Sequence, residues 1–94
     1  MNKEALVAEV SARVDLSGRA AHEVVDAVLA SIARAVARGE KVTVPGFGTF
    51  DRVLRAPRAA RDPRTGAPVR VPARWAPVFR PAEAFREKVA NRTR

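Results

Sequence analysis

The stretch GFGTFDRVLRAPRAARDPRTG, residues 46–66, decides the fold of this 94-residue chain. Its first part has two glycines followed by the branched and aromatic residues of TFDRVL, which predicts a turn that leads into a β-strand. Its second part holds little besides arginine, alanine and proline, so a strand continuing there has no apolar face to bury. DPRTG at 62–66 places Asp, Pro and Gly in the order of a tight turn, which predicts the tip of an extended β-ribbon.

The residues on either side of this stretch supply partners for the first strand of the ribbon. KVTV at 41–44 alternates polar and apolar residues, and residues 69–75 alternate apolar residues with arginine, so both segments predict strands. Pro68 and Pro72 lack the N–H that a ladder needs, but their equal parity directs both gaps to the free edge of a ribbon. We therefore expect a three-stranded antiparallel sheet from which a two-stranded arm extends.

Helical periodicity marks both ends of the chain. Apolar residues recur at three and four positions from Asn2 to Val14 and from Ser17 to Gly39, with Asn2 and Ser17 placed to cap helices and Gly39 to end one. PAEAFREKVANR, from Pro81 onward, predicts a short third helix. The expected fold class is α+β, as one domain of residues 1–94 with a helical body at 1–40, the sheet and arm at 41–80 and a C-terminal helix at 81–94.

The charge of the chain is concentrated in its second half. Residues 1–50 hold six basic and six acidic residues, whereas residues 51–94 hold twelve basic and four acidic ones, so the net charge of +8 lies there. A neutral half followed by an arginine-rich half indicates a polyanionic partner.

The composition argues against several classes of function. The chain has no cysteine and a single histidine, His22, so the sequence offers no metal cluster and no nucleophile paired with a base. No apolar run approaches the roughly 20 residues of a membrane span, and the acids in MNKEALVAEV argue against a signal peptide. We expect a soluble intracellular protein that is not an enzyme and has no cofactor, metal or small-molecule substrate.

The arginines of the arm recur every three residues, from Arg52 to Arg64. A strand converts this period into alternating faces, so charge would project from both sides of the ribbon. A ribbon that lies in a nucleic-acid groove about 6 Å wide has phosphates on both sides, so positive charge on both faces of the ribbon suits such a site. A polyproline II segment, which would line the arginines along one edge, and a disordered basic tail are the competing interpretations.

The residues GFGTFDRVLRAPRAARDPRTG resemble the HU/IHF family of bacterial histone-like DNA-binding proteins. The GFGTF turn, the spacing of Arg55, Arg58 and Arg61, and the tip Pro63-x-Thr65-Gly66 carry the resemblance, which extends over the whole chain from MNKEALV to VFRPAEAFREKV. It implies an intertwined dimer, either a homodimer or a heterodimer with a paralogue, whose two arms wrap double-stranded DNA. It also implies a cytoplasmic, nucleoid-associated protein.

The resemblance assigns roles to individual positions. Pro63 matches the tip proline that intercalates between base pairs, and Phe47, Phe50 and Phe79 match aromatic residues of the dimer core. The expected DNA-binding residues are Lys3, Gly46, Gly48, Arg52, Arg55, Arg58, Arg61, Pro63, Arg64, Arg70, Arg74, Arg80 and Arg86. Asp62 and Glu83 depart from the family pattern, and we expect both acidic side chains to weaken DNA contacts.

The function predicted from these residues is that of an architectural protein that binds the minor groove with low sequence specificity and bends and compacts DNA. The first alternative is an IHF-like subunit that prefers particular sites. The second is a small basic RNA-binding or ribosomal protein, which the composition permits. The arm motifs argue against the second alternative, as does the lack of a base-stacking platform around Trp75.

Overall fold

A computed structural model describes residues 1–91 of the chain, which form two compact units, the first of Met1–Arg34 and the second beginning at Ala35. Helices and antiparallel strands are both present, which confirms the α+β class. Over the described residues the elements are α1 (Lys3–Val14), α2 (Gly18–Ala37), β1 (Val42–Val44), β2 (Gly48–Arg55), β3 (Arg58–Arg61), β4 (Pro68–Val71), β5 (Arg74–Pro81) and α3 (Glu83–Ala90).

Side-chain caps fix the starts of the first two helices. The Asn2 side chain accepts a hydrogen bond from the Ala5 N–H at 2.9 Å, and Ser17 Oγ accepts one from the Ala20 N–H at 3.1 Å. Each bond satisfies a backbone donor that has no partner within its helix. Both helix starts predicted from the sequence are therefore confirmed.

The first unit has a small core between α1 and α2. Val7, Ala21 and Val25 are its buried residues, and the partly buried Val10 packs against them. All four side chains are small or medium in size, so this core buries little apolar area.

The C-terminal end of α2 forms a Schellman motif. The Gly39 N–H donates to the Val36 carbonyl and the Glu40 N–H to the Ala35 carbonyl, both at 2.9 Å. Gly39 has φ +89°, the left-handed conformation that glycine adopts without a steric cost. The predicted end of the helix at Gly39 is confirmed.

Strands β1, β2 and β5 form an antiparallel sheet in the order β1-β2-β5. A tight turn joins β1 to β2, in which the Phe47 N–H donates to the Val44 carbonyl at 3.0 Å. Pro45 and Gly46 occupy its central positions, and Gly46 has φ +81°, as a type II turn requires.

The arm is a separate two-stranded ribbon of β3 and β4. Its register, from Arg58↔Val71 to Arg61↔Pro68, continues the β2–β5 register that ends at Arg55↔Arg74. The ladder is interrupted at 56–57 and 72–73, where the shared register places Pro57 opposite Pro72.

The break corrects the prediction of one strand through residues 69–75. Pro57 and Pro72 face each other, and because neither has an N–H, neither strand can donate a ladder bond at this pair. The sequence allowed for a proline at the free edge of one strand, but not for a gap shared by both strands. Pro68, by contrast, lies within β4. Pro68 pairs with Arg61, and the next pair, Asp62 with Ala67, is hydrogen-bonded through the Asp62 N–H and the Ala67 carbonyl. Because bonded and non-bonded pairs alternate along an antiparallel ladder, the Arg61–Pro68 pair is a non-bonded one, and Pro68 removes no ladder bond.

The third helix begins later than its sequence suggested. Pro81 is the last residue of β5, and α3 starts at Glu83 after Ala82, whose N–H donates to the Phe47 carbonyl at 2.9 Å. That bond extends the sheet by one residue and delays the helix. The predicted helical segment also includes residues 92–94, which lie outside the described residues.

Four phenylalanines cluster beside the sheet. The Phe47 ring lies 5.2 Å from Phe79 and 5.1 Å from Phe85, and Phe50 lies 4.8 Å from Phe79. Tilted and offset pairs at these distances are favourable beyond their buried area. Even so, Phe47 is 44% exposed and Phe79 is 38% exposed, so one side of the cluster is open.

Gly48 is expected to tolerate no side chain. A Cβ there would lie 2.5 Å from the Phe79 ring and 2.7 Å from the Arg80 carbonyl oxygen. Gly48→Ala should therefore lower the free energy of unfolding by about 1–3 kcal/mol, as overpacking does. Gly18→Ala, at the open start of α2, is the matched control and should change it by less than about 1 kcal/mol. Equal thermal shifts of the two variants at equal protein concentration would contradict the role of Gly48.

Candidate nucleic-acid interface

Arg55, Arg74 and Arg80 lie on one face of the β2–β5 pair. Successive residues of a strand alternate between faces, so the register puts these three together and puts Arg52 on the opposite face with Phe50. Arg55 and Arg74 are directly paired across the strands. Like charges in such a pair repel, and an anion that binds between them relieves the repulsion.

Asp51 shares this face and holds Arg80. Arg80 Nη1 donates to Asp51 Oδ2 at 3.2 Å, and the Arg52 N–H donates to Asp51 Oδ1 at 2.8 Å. The Arg52 N–H has the largest effect on the pKa of Asp51 and lowers it; desolvation, the next largest effect, raises it, and the hydrogen bond and charge of Arg80 lower it further, so the pKa lies below its ordinary value. Sequence reasoning missed this contact because the two residues are 29 positions apart and meet only through the strand register.

Removing the Asp51 charge is expected to strengthen DNA binding. Asp51→Asn keeps an acceptor for the Arg52 N–H but releases Arg80 to contact a phosphate, and because the ion pair is exposed and weak, Kd should fall by no more than about fivefold. Glu9→Gln, which removes an exposed acid that pairs with Arg13 on α1, is the control. Titration of one duplex at fixed salt measures both, and an equal gain in the control would attribute the effect to net charge alone.

The ribbon presents arginine on both of its faces. Arg58 and Arg61 are three residues apart on β3, so they project to opposite sides, and Arg70 pairs with Ala59 from β4. Every arginine of the ribbon is exposed. The paired ladder confirms an ordered strand and excludes the polyproline II and disordered-tail interpretations of residues 58–61.

Asp62 organises the tip of the ribbon. Its carboxylate Oδ1 accepts from the Arg64 N–H at 2.8 Å, and its carbonyl accepts from the Gly66 N–H at 2.7 Å. Gly66 has φ +73°, and its carbonyl accepts from Arg61 Nη1 at 2.8 Å. Pro63 follows Asp62 and is exposed. Asp62 therefore holds the first position of the tip turn, as the sequence predicted, and its side-chain bond to a residue two positions ahead is a known turn pattern.

The remaining predicted site residues lie elsewhere. Lys3 is in the first unit, where its ammonium pairs with Asp26 and lowers the pKa of that carboxyl by a hydrogen bond. Gly46 and Gly48 shape the β1–β2 turn and its exit. Arg86 lies on α3, and Glu83 stands at the N-terminus of that helix, where a carboxylate complements the helix dipole.

Other kinds of site are not found among the described residues. Within residues 1–91 no three His, Cys, Asp or Glu side chains are grouped so that they could hold a metal ion. None of the helices in that range combines the length and apolar character needed to cross a bilayer.

Comparison with known proteins gives a consistent result. The family model described as bacterial DNA-binding protein matches residues 1–90. The SPbeta prophage-derived DNA-binding protein HU 2 of Bacillus subtilis is 42% identical over 89 residues, which cover 95% of this chain and 97% of the relative. DNA-binding protein HU of Staphylococcus aureus is 40% identical, with 95% and 99% covered.

Solved structures show the same likeness. An Anabaena HU–DNA cocrystal structure matches with a TM-score of 0.93 at 39% identity, covering 98% of this chain and all of the other. HU from Thermotoga maritima matches with a TM-score of 0.66 at 28% identity, covering 95% and 98%.

A basic two-stranded arm on a small α+β body defines a class of bacterial DNA-binding proteins. The chain belongs to the family of that class that includes HU, as its sequence motifs predicted. The family consists of DNA-binding proteins rather than enzymes, which confirms the prediction that the chain is not an enzyme.

Proposed function

We propose that this protein is an architectural factor that binds the minor groove of duplex DNA with low sequence specificity and bends and compacts it. The observation that carries the proposal is the ordered basic ribbon with exposed Pro63 at its tip. Minor-groove architectural proteins commonly insert an apolar side chain between base pairs and kink the duplex. The likeness to an HU–DNA cocrystal supports this mode, and it also supports a nucleoid-associated protein of the cytoplasm.

In this proposal Pro63 intercalates and the surrounding basic residues neutralise phosphates. The paired Arg55 and Arg74 would bind a phosphate at the base of the arm, and Arg80 would do so after leaving Asp51. The full proposed set of DNA-contacting residues is Lys3, Gly46, Gly48, Arg55, Arg58, Arg61, Pro63, Arg64, Arg70, Arg74, Arg80 and Arg86.

The proposed functional form is a dimer of two copies of this chain. The single chain exposes 7797 Å² at a mass of 10.2 kDa, whereas a folded monomer of that mass exposes about 5,300 Å². Among residues 1–91 the buried apolar residues are Val7, Ala21, Val25 and Ala35, a small core for this length. Burial of apolar surface by a second copy would supply the missing stabilisation.

Two open apolar surfaces suit such an interface. The first is a groove of about 220 Å³ on the first unit, lined by Leu6, Val10, Val24, Val25, Val28 and Leu29. The second is the open side of the phenylalanine cluster, where Phe47, Phe50 and Phe79 would enter the dimer core. A heterodimer with a paralogue would use the same surfaces.

Binding to duplex DNA over a range of salt concentrations tests the function. If phosphate contacts supply the affinity, log K should fall linearly with log salt by about 0.9 for each phosphate neutralised. Random and selected duplexes should bind within a small factor of each other. A strong preference for selected duplexes would indicate an IHF-like protein, and stronger binding to RNA than to DNA would overturn the proposal.

A further inference from the structure

We propose that Arg52 is a positioning residue that fixes the base of the DNA-binding ribbon to the C-terminal end of α2, and that it does not contact DNA. This inference rests on the proposed function and revises one predicted DNA-binding residue. Four groups of the second unit carry it: Arg52, the carbonyl of Ala37, Gly39 and the ring of Trp75.

The first contact satisfies the end of a helix. The last carbonyls of a helix have no partner within it, and the Schellman motif at the end of α2 satisfies those of Ala35 and Val36. The next carbonyl in order, that of Ala37, accepts from Arg52 Nη1 at 3.3 Å. Arg52 therefore completes the cap from a strand that lies 15 residues further along the chain.

The second contact is a close approach of the Arg52 guanidinium to Gly39. A Cβ on Gly39 would lie 2.8 Å from Arg52 Nη2 and 3.3 Å from its Cζ. The guanidinium thus occupies the space that a side chain at position 39 would enter, and it would have to move from the Ala37 carbonyl to admit one. Gly39 satisfies two requirements at once, the positive φ of the helix end and the close approach of Arg52.

The third contact reaches the neighbouring strand. The Cζ atom of Arg52 lies 4.1 Å from the centroid of the Trp75 ring, within the range of a cation–π interaction. Trp75 is the second residue of β5, next to the break that separates the sheet from the ribbon. One guanidinium thus connects the end of α2, strand β2 and strand β5 at the base of the arm.

Arg52 does not lie on the face of the sheet that carries the other arginines. It projects to the side of Phe50 and Phe79, opposite to Arg55, Arg74 and Arg80. A planar guanidinium can stack on a ring and donate to a carbonyl together, which a lysine ammonium does not reproduce. Lysine at position 52 should therefore fail to restore the contacts that Arg52 makes with Trp75 and the Ala37 carbonyl.

The test compares Arg52→Gln, Arg52→Lys and Trp75→Leu with Arg55→Gln as the control for a phosphate contact. For each variant the affinity for one duplex is measured at several salt concentrations, and the DNA bend angle by FRET. A positioning role predicts that the Arg52 and Trp75 variants keep the wild-type salt slope but bind about three- to tenfold more weakly at every salt concentration. Their bend angles should fall as well, whereas Arg55→Gln should reduce the slope by about 0.9.

Arg52→Lys decides between the two roles. A phosphate contact would survive in the lysine variant with nearly wild-type affinity and slope, and that result would overturn the inference. Weakening by Trp75→Leu, which removes no charge, supports it. A loss of about 0.9 in the slope with Arg52→Gln also overturns it.

A measurement without DNA separates this inference from the proposed function. Trp75 is the only tryptophan, so its fluorescence reports on the Arg52 contact directly. Arg52→Gln and Arg52→Lys should both shift its emission in the free protein, and unchanged emission would overturn the inference. If the wild type failed to bind duplex DNA, the proposed function would be wrong, but the emission shift would still test the contact between Arg52 and Trp75.

Discussion

The Val28→Glu variant is expected to be monomeric at concentrations where the wild type is a dimer, and to bind duplex DNA at least about 100-fold more weakly. Val28 is 53% exposed in the single chain and lines the apolar groove of the first unit. In the proposed dimer this groove is covered, so each copy would bury a carboxylate without a partner. Desolvation of an unpaired charge costs several kcal/mol, and a symmetric dimer would incur that cost in both copies.

Ala27→Glu is the matched control for this substitution. Ala27 is exposed on the same helix but points away from the groove, because one residue turns the helix by about 100°. It adds the same charge, so both variants repel DNA equally at long range. Sedimentation velocity and DNA titration should show a dimer with near wild-type affinity for Ala27→Glu. A dimeric Val28→Glu would place the interface elsewhere on the chain.

The expected loss of affinity follows from the use of two arms. A dimer presents two ribbons, and once the first is bound the second meets the same duplex at a high effective concentration. A monomer loses that advantage even if its own ribbon is intact. The effect of Val28→Glu should therefore exceed the effect of removing any single arginine from the arm.

The fold could be predicted from local signals wherever those signals act alone. The Asn2 and Ser17 caps and the glycine at position 39 set helix ends through bonds to nearby backbone, so the sequence sufficed. The Pro57–Pro72 break could not be predicted in the same way. It depends on which residues face each other across the ladder, a property of two strands together.

In the candidate site, too, local sequence motifs could be predicted, whereas contacts between residues far apart in the sequence could not. The arm and its tip follow from the resemblance, since DPRTG and the arginine spacing are contiguous motifs. The roles of Asp51 and Arg52 do not, because each depends on a partner far along the chain, Arg80 or Trp75. Arginine spacing alone assigned Arg52 and Arg55 to the same function, while the strand parity puts them on opposite faces.

Pro63→Ala is expected to reduce the DNA bend angle strongly while changing affinity by less than about threefold, because phosphate contacts supply most of the binding free energy. Pro63 is exposed at the tip, and Asp62 holds the turn that presents it through the Arg64 N–H. Unstacking a base step costs a few kcal/mol, which an apolar wedge offsets by filling the opened step. Alanine fills less of that space and leaves the arm's charges in place.

Pro68→Ala is the matched control, since Pro68 is also exposed on the ribbon but lies within β4, away from the tip. It removes the same ring and restores an N–H at a pair where the ladder needs none, so bending should be unchanged. FRET between dyes at the ends of a short duplex measures the angle, and a nicked duplex, already flexible at one step, should narrow the difference between wild type and Pro63→Ala. Equal bend angles for wild type and Pro63→Ala on the intact duplex would refute the wedge, and equal losses in both proline variants would assign the effect to ribbon stiffness instead.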